Sequence, residues 1–301
     1  MQCYKYRQQR GIALLMAMLV VVIATVIAVS LVHEQSLSIR KTAHIRNTDT
    51  ALMYSLGLED YARLFLQKDF RDSRIDHTGE DWGLGIPVLP IEGGFLSGTM
   101  EDAQSRLNLN SVLQQENEDR LRALCNNLDL NPVFISALKD WIDADPDVVD
   151  ADGAEDDYYT NLDPPYRSAN RMMTDVSELM LIKGMDEEIY NRLKPFITVL
   201  PASANLNINT ISAEVYQVLD SNLDPDKFIT ERETDPFTSL EDYKNRMNHT
   251  LPNVGISVTT EYFLASGQIT LGAKTLFVNT LIHRDNRGAT RTLSRKLGEF
   301  S

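Results

Sequence analysis

The sequence predicts an α+β protein in which a long N-terminal helix packs on an antiparallel sheet interrupted by a large helical insert. Three observations predict this fold. An uncharged apolar run occupies residues 12–32, alternating β patterns occur at 95–110 and 262–295, and helical patterns fill residues 111–200. Blocks of strands and helices that are separated along the chain in this way are typical of α+β proteins.

The apolar run, residues 12–32, is long enough to cross the ~30 Å hydrocarbon core of a membrane as a helix. It contains no charge, proline or glycine, so an unbroken helix can satisfy every backbone polar group inside the lipid. Lys5, Arg7 and Arg10 precede the run, and Glu34 is the first charged residue after it. Because positive residues stay on the cytoplasmic side, we expect a single membrane pass with the N-terminus inside.

The same stretch has three interpretations. The first is a plain signal anchor. The second is a cleaved secretory peptide, for which Ala28-Val29-Ser30 is a poor cleavage site because the apolar run continues through it. The third is a class III leader, which would be cut between Gly11 and Ile12, directly after the basic residues. This stretch by itself favours the first and the third equally.

Composition limits the partners and the sources of stability. The 301 residues carry a net charge of −14, and loss of residues 1–11 with their three basic side chains would lower it to −17. So acidic a protein repels nucleic acids and anionic headgroups. Of the two cysteines, Cys3 lies in the predicted leader and only Cys125 remains, so the exported part has no internal disulfide. Its core or a bound metal must stabilise it.

The helix continues beyond the membrane run and leads into a predicted hairpin. Apolar and small residues between 51 and 66 recur at steps of three and four, and no proline occurs before Pro87. We therefore expect one helix from residue 12 to about 70, followed by a polar loop at 72–85. A β-hairpin is predicted next, with strands at 95–101 and 106–110.

The middle of the chain is helical in character. Helices are predicted at 111–126, 132–142, 176–181 and 187–196. The alternating stretch 204–209 repeats the pattern of 106–110, and we predict that these two strands belong to one sheet, so that the helices form an insert between them. An antiparallel meander is predicted to close the chain, with strands at 262–271, 275–284 and 289–295.

The main candidate site is an acidic loop inside the insert. Ten acidic residues follow one another without a basic residue between them: Asp140, Asp143, Asp145, Asp147, Asp150, Asp152, Glu155, Asp156, Asp157 and Asp163. Crowded carboxylates repel one another unless solvent or cations neutralise them, and hard oxygen ligands suit Ca²⁺. The spacing is not that of an EF-hand, because Val148 replaces the required glycine and Ala154 replaces the closing glutamate.

Two interpretations of this loop remain open. A solvated acidic loop is the common explanation of a charge run. Four aromatic residues lie among the acids, which indicates a folded segment and favours a metal: Trp141, Tyr158, Tyr159 and Tyr166. The candidate calcium ligands are Asp140, Asp143, Asp145, Asp150, Asp152, Glu155, Asp156 and Asp157.

Residues 178–193 resemble a helix-hairpin-helix unit with its hairpin at 182–185, and 204–210 resemble a second unit. DNA-binding versions hold a phosphate at the hairpin and flank it with basic side chains. Here three acids, residues 186–188, follow the hairpin glycine directly, and Lys183 is a weak counterweight. The charge pattern therefore favours a packing module over a DNA-binding site.

The sequence shows no recognisable catalytic motif. The five histidines are widely spaced and show no metal-ligand pairing: His33, His44, His77, His249 and His283. Neither a G-x-S-x-G motif nor a P-loop nor an H-E-x-x-H motif is present. We therefore predict that the protein is not an enzyme.

Seven motifs, in family order, resemble the minor pseudopilin K of type II secretion systems, the GspK family. They are Arg10-Gly11, Pro90-Ile-Glu-Gly-Gly-x-Leu-Ser-Gly98, Asp102-Ala-Gln-x-Arg-Leu-Asn-Leu-Asn110, Asp140-Trp-Ile-Asp143, Gly153-Ala-Glu-Asp-Asp-Tyr158, Pro165-Tyr-Arg-x-Ala-Asn170 and Asp175-Val-Ser-Glu-Leu179. The resemblance implies a type IV pilin-like fold, with the long helix on an antiparallel sheet and a large inserted α-helical domain. It also implies processing by the prepilin peptidase and calcium binding in the helical domain.

The resemblance also implies a division of the chain and a set of partners. The implied parts are a leader (1–11), a transmembrane half-helix (12–32), pilin-like segments (33–110 and 204–301) and an inserted helical domain (111–203). The implied partners are minor pseudopilins I and J, with H as a further candidate, the prepilin peptidase and the inner-membrane assembly platform, but no nucleic acid. The C-terminal part would be periplasmic. The alternative function is a membrane-anchored, pilin-like DNA-binding or uptake protein.

Met16 departs from the pattern of ordinary pilins. After cleavage it would be the fifth residue, where ordinary pilins carry a glutamate that neutralises the N-terminal amine of the neighbouring subunit. A subunit at the filament tip has no neighbour ahead of it, and a bulky insert would block further stacking. Met16 and the insert therefore agree on a tip position, as the resemblance implies.

Overall fold

The computed structural model describes residues 12–220, 222–251, 255–272 and 274–298. It divides into two compact units, residues 1–54 and residues 55–301. Helix α1 (Ile12–Asp72) contributes to both units and contains 61 residues, so the helix predicted to end near residue 70 is confirmed. In the first unit, all the side chains of 12–32 are exposed. Among the described residues, α1 is the one helix long and apolar enough to cross a membrane.

Two strands follow α1 and form the hairpin of this part of the chain. Strand β1 (Ile86–Ile91) pairs antiparallel with β2 (Gly94–Asp102). The prediction that residues 95–101 pair with 106–110 is therefore wrong, because the partner strand precedes this segment. Gly93, with φ +84°, makes the tight turn. After β2, the buried Asp102 carboxylate accepts a hydrogen bond from the Gln104 N–H at 2.6 Å and starts a 3₁₀ turn instead of a hairpin.

The middle of the chain is built from short elements. In chain order they are β3 (Leu107–Asn108), α2 (Gln115–Asn127), α3 (Phe134–Ile142), α4 (Asp156–Tyr159), α5 (Glu187–Leu193), β4 (Ile197–Thr198), β5 (Leu206–Asn207), α6 (Ala213–Gln217), α7 (Pro225–Thr234), α8 (Leu240–Met247) and β6 (Ile256–Ser257). A 3₁₀ helix, Val176–Leu181, lies between α4 and α5. The predicted helices of the insert are confirmed in this part of the chain.

The prediction that 106–110 and 204–209 belong to one sheet is wrong. Strand β3 pairs parallel with β4, and β5 pairs parallel with β6, in two separate two-stranded sheets. Strands β3 and β5 end after two residues because the side chain of their last residue, an asparagine, accepts a hydrogen bond from the backbone N–H two residues further on. The Oδ1 atom of Asn108 accepts from the Asn110 N–H at 3.2 Å, and that of Asn207 accepts from the Asn209 N–H at 3.0 Å.

Three long strands close the chain: β7 (Tyr262–Leu271), β8 (Lys274–Arg284) and β9 (Thr290–Gly298). They form the predicted antiparallel meander, which is confirmed. Because β2 pairs with β7, the main sheet has the order β1-β2-β7-β8-β9 and is antiparallel throughout. Strands from both ends of the sequence therefore share one sheet, with the helical region between them in the chain.

The C-terminal part of α1 packs on this sheet. Ala62 and Leu66 are buried against Phe263 and other apolar residues of the sheet, and against Trp82 in the 3₁₀ turn before β1. Gly267 allows the close approach, since a Cβ atom there would lie 2.3 Å from the Cδ2 of Leu58. This part of the helix and the sheet thus form two packed layers of the second unit, as a pilin-like fold requires.

A second, larger core lies in the helical region. Its buried residues extend from Leu107 to Ile256. Helices α6 to α8 belong to it through Tyr216, Phe228 and Tyr243, and the rings of Tyr216 and Phe228 stack with centroids 3.7 Å apart. The core therefore continues across residue 203, the position where the predicted helical domain ends.

Candidate functional site

Helix α3 presents the first acid of the candidate site to the acidic loop. Asp140 is fully buried, and its two carboxylate oxygens accept hydrogen bonds from the N–H groups of Val149 (2.9 Å) and Ala154 (2.6 Å). Burial raises the pKa of the Asp140 carboxyl, and these two hydrogen bonds oppose the rise. Gly153 is required at its position, because a Cβ atom there would lie 2.2 Å from an Asp140 oxygen. The buried Asp140 carboxylate thus holds the loop backbone at two points five residues apart.

Two further acids have buried oxygens without a hydrogen-bond partner in the described part of the chain. These oxygens are Oδ1 of Asp143 and Oε1 of Glu155. Native proteins contain few such atoms, so each one calls for an explanation. Glu155 has only 6% of its surface exposed. A bound cation would supply such an oxygen with its missing partner.

Burial and the neighbouring carboxylates raise the pKa values of these two acids. Burial raises the pKa of Glu155 to about 7, with a further rise from the charges of Asp140, Asp143 and Asp156. Burial also raises the pKa of Asp143 to about 6, and the charges of Asp145 and Asp140 add to it. Neighbouring carboxylates thus destabilise the charged forms of Asp143 and Glu155, an effect that a bound divalent ion would reverse.

The remaining candidate ligands take other positions. Asp150 shapes the loop, because its oxygens accept from the Ser136 hydroxyl (2.8 Å) and from the N–H groups of Asp152 (2.8 Å) and Gly153 (3.2 Å). Those hydrogen bonds lower the pKa of Asp150. Asp156 is half-buried and accepts from the Ser168 N–H at 3.0 Å. Four candidates are exposed: Asp150 itself, Asp145, Asp152 and Asp157.

An aromatic wall closes the inner side of the site. Trp141 and Tyr159 are buried and meet edge to face, with ring centroids 5.3 Å apart. Tyr166 stacks on Tyr159 at 5.2 Å. Burial raises the pKa of the Tyr159 hydroxyl, so it stays protonated. The wall limits solvent on one side, which strengthens the electrostatic interactions of the acids.

Within the described residues, the acids whose oxygens lie close enough together to share one metal ion are three that the sequence did not single out. One oxygen each of Asp69, Asp76 and Glu80 lies within 4.8 Å of the others. The buried Arg284 forms ion pairs with Asp69, at 2.9 Å, and with Asp76. Glu80 accepts from the Trp82 indole N–H at 2.7 Å. These acids therefore already have partners from the protein itself, and we assign them a structural role.

The N-terminal site residues are only partly described. Gly11, on one side of the predicted cleavage site, lies outside the described residues, and Ile12 is the first residue of α1. Met16 lies in the first unit on α1, with 63% of its surface exposed. Its side chain is available to lipid or to a neighbouring apolar helix.

Comparison with known proteins agrees with the fold. Residues 105–202 match the family model for the type II secretion system (T2SS), protein K. The type II secretion system protein K of Pseudomonas aeruginosa is 32% identical, over 97% of this chain and 94% of that protein. The corresponding protein of Pectobacterium carotovorum is 29% identical, over 97% of this chain and 98% of its own length.

A solved structure gives the same result. One chain of the GspK-GspI-GspJ complex from the type 2 secretion system of enterotoxigenic Escherichia coli matches with a TM-score of 0.78 and 25% identity, over 86% of this chain and 99% of that chain. The pilin-like α+β fold with an inserted helical domain is thereby confirmed. Because the identity to protein K extends over nearly the whole length of both proteins, the chain belongs to the type II secretion system protein K family.

Proposed function

We propose that this chain is a minor pseudopilin at the tip of the type II secretion pseudopilus, where it helps to start assembly and the export of folded proteins across the outer membrane. The observation that carries the proposal is the likeness to a chain of the GspK-GspI-GspJ complex over 86% of this sequence. Its partners are minor pseudopilins I and J, with one copy of each. In this proposal the chain is structural and non-enzymatic.

Part of α1 offers a surface for these partners. Leu56, Tyr61 and Leu64 are exposed on the segment of α1 that belongs to the second unit. Their spacing places them on one broad face of the helix. Exposed apolar residues that share a face are typical of protein interaction sites. The α1 helices of the partners would pack there, leaving the helical domain outermost.

Co-purification tests the tip proposal. The full chains of K, I and J are expressed together, extracted in detergent and measured by light scattering, which we expect to give one copy of each. Leu64→Arg should weaken the complex, because it places a charge on the α1 face. Leu84→Arg is the matched control, since Leu84 is also exposed but lies outside α1. Long filaments formed by this chain alone would reject the tip position.

The membrane arrangement forms part of the same proposal. The chain is anchored in the inner membrane by its apolar N-terminal segment, with the second unit in the periplasm. The prepilin peptidase cuts between Gly11 and Ile12, and the new amine is methylated. The intact mass of protein extracted from a strain with the peptidase measures this directly. A product that retains Cys3, or normal processing of Gly11→Glu, contradicts the class III leader.

We also propose that the acidic loop binds calcium. Asp140, Asp143, Glu155 and Asp156 would hold the ion, and the support is the pair of buried carboxylate oxygens without a partner. Calcium accepts about six to eight oxygen ligands in flexible geometry, which suits an irregular loop of carboxylates. When bound, the ion would neutralise the mutual repulsion of the acids and hold the loop to α3.

No observation in the described residues favours the DNA-binding alternative. The hairpin cation, Lys183, donates to the Gly153 carbonyl of its own chain at 2.9 Å. Three acidic residues follow the hairpin glycine. In a gel-shift experiment with the full chain in detergent, we expect no binding below millimolar DNA. Tight binding that weakens steeply with salt would favour the alternative instead.

A further inference from the structure

The hairpin at 182–185, which resembles a phosphate-binding unit, lies against the acidic loop. The ammonium group of Lys183 donates to the backbone carbonyl of Gly153 at 2.9 Å and to that of Ala151 at 3.4 Å. It also lies 5.3 Å from the centre of the Tyr158 ring. The side chain thus connects the hairpin to the last turn of the loop. Its ammonium group is therefore already engaged by two carbonyls and a ring of the same chain.

Two other contacts fix the hairpin relative to the same loop. The Tyr166 hydroxyl, from the aromatic wall, donates to the Leu181 carbonyl at 2.7 Å. Gly184, with φ +83°, lies so close to the first residue of α3 that a Cβ atom would be 3.4 Å from the Phe134 Cα. The hairpin therefore contacts three parts of the site: the helix that carries Asp140 and ends just before Asp143, the acidic loop, and the aromatic wall.

The segment that Lys183 holds is the one that places Glu155. Gly153 packs directly against the Asp140 carboxylate, and the next N–H group, that of Ala154, donates to it at 2.6 Å. Glu155 follows immediately, with one buried oxygen that has no partner in the described structure. A shift of the Gly153 carbonyl would move Glu155 away from Asp143 and Asp140. The position of Glu155 thus depends on the contact made by Lys183.

We propose that Lys183 is a positioning residue for the calcium site: it holds the carbonyls of Ala151 and Gly153 so that Glu155 converges with Asp140 and Asp143. The inference rests on the calcium binding proposed above. Side chains that orient metal ligands from outside the coordination shell typically change metal affinity about 10–100-fold when they are removed. The hairpin therefore acts on an internal loop, in the place where its DNA-binding counterparts act on phosphate.

Calcium titration calorimetry on the full chain in detergent tests the proposal. Lys183→Met removes the ammonium and should weaken calcium binding about tenfold. Lys183→Arg keeps a cationic donor of similar reach and should retain most of the affinity. Lys194→Met is the matched control, because Lys194 is exposed and lies over the Tyr190 ring in the next helix. It removes the same charge and should leave the affinity unchanged.

Whether calcium affinity falls or rises in Lys183→Met decides between a positioning role and simple charge competition. Loss of a positive charge near an acidic site strengthens calcium binding if the charge acts only as a competitor. Tighter or unchanged binding in Lys183→Met would therefore overturn the proposal, even if the melting temperature fell. Lys183→Gln, which is shorter but still a donor, replaces Lys183→Met if that variant does not fold, and the same weakening is expected.

Hydrogen exchange separates this inference from the calcium proposal. In the presence of chelator, the amides of Gly153 and Ala154 should exchange at least about tenfold faster in Lys183→Met than in the unaltered chain, because the loop opens more often. If no variant binds calcium but this difference is found, the calcium proposal fails and the positioning contact stands. Equal exchange rates would reject the positioning contact, whatever the calcium affinity.

Discussion

Two clusters of carboxylates in this protein differ in whether the chain itself supplies a cation that neutralises them. Asp69 and Asp76 surround Arg284, a cation from the same chain that comes from the end of β8. In the acidic loop, Asp143 and Glu155 each keep a buried oxygen without a partner in the described residues. The acidic loop is much richer in acids, yet their number is not what distinguishes the two. The proposed calcium site differs in having carboxylate oxygens that the fold buries and leaves without a partner among the described residues.

Removal of Arg284 should have the largest effect on the protein. The guanidinium is buried, donates to the carbonyl of Leu66 and packs over the rings of Phe70 and Phe263. Arg284→Met leaves buried carboxylates without their cation, and breaking such a pair typically costs about 3–5 kcal/mol. We expect a correspondingly large fall in thermal stability of the full chain in detergent, monitored by circular dichroism.

The control for this variant is Arg291→Met, because Arg291 is exposed on β9. It should change the stability by less than about 0.5 kcal/mol, as is usual for surface substitutions. Millimolar calcium should not restore Arg284→Met. If it does, the acids around Arg284 can hold an ion as well, and the contrast between the two clusters is wrong.

Chelation should have the second largest effect and should act through the acidic loop. A ligand that binds only the folded state stabilises it by about 2.7 kcal/mol at a hundredfold excess over its Kd. The melting temperature of the full chain should fall with chelator and recover with calcium better than with magnesium, whose small octahedral shell suits a loose loop poorly. Identical melting curves with chelator and with calcium would leave the solvated acidic loop as the explanation.

Matched variants test whether the response of the melting temperature to calcium arises from the acidic loop or from the acids around Arg284. Asp143→Asn combined with Glu155→Gln removes the charges of the two acids with unpaired oxygens and should abolish the response to calcium. Asp69→Asn changes an acid of the other cluster and should preserve the response, although it lowers the stability. Loss of the calcium response in Asp69→Asn would place the ion beside Arg284 instead.

The pH dependence of stability should differ between the calcium-free and calcium-loaded forms. Burial and neighbouring acids raise the pKa of Glu155 from 4.5 to about 7 in the folded protein. Between these pH values the calcium-free folded state holds a proton that the unfolded state has lost, so the contribution of Glu155 to stability falls as the pH rises. With calcium, the ion replaces the proton, and the stabilisation by calcium should grow over the same range.

Melting temperatures between pH 4.5 and 7.5, with and without calcium, measure this difference. Glu155→Gln cannot ionise, so its calcium-free melting temperature should fall less steeply over this range than that of the unaltered chain. Asp150→Asn is a useful comparison, because hydrogen bonds lower the pKa of Asp150. A calcium-free stability curve that is the same with and without Glu155→Gln would contradict the assigned burial of this carboxyl.

The two clusters also show what local sequence patterns can and cannot predict. The acidic loop is contiguous, so its charge run and interleaved aromatic residues predicted a folded segment, and the four acids proposed as calcium ligands are drawn from the eight candidates. The pattern could not separate these four, which are buried or half-buried, from Asp150, which is exposed and whose hydrogen bonds shape the loop. The other cluster joins Asp69 and Asp76 to a residue more than 200 positions away, and no local pattern contains that information.

The elements of the fold show the same contrast between features that a local pattern predicts and features that it does not. Helix α1 and strands β7 to β9 were predicted because their periodicity is long and local. The hairpin partner of β2 was predicted wrongly, because the buried capping contact of Asp102 cannot be read from an alternating pattern. Helices α7 and α8 were missed in a polar stretch. Their caps were a usable signal, since the side chains of Asp224 and Ser239 accept hydrogen bonds from the N–H groups of Lys227 and Asp242.

Met16→Glu introduces a further carboxylate without a cation in its own chain. Of the changes considered, it should have the smallest effect on the protein. Met16→Glu places an acid near the cytoplasmic end of the apolar segment, where the cost lies below the about 2.5–3.5 kcal/mol of an acid at mid-bilayer. In a body subunit of a pilus, an amine of the neighbour would meet this acid. At the tip there is none, so secretion by a strain that carries Met16→Glu should be unchanged or slightly reduced, and never improved. Met16→Gln is the uncharged control and should behave like the unaltered chain. If Met16→Glu becomes an efficient filament-body subunit with the helical domain intact, then a neighbouring chain does supply the cation, and the tip position is wrong.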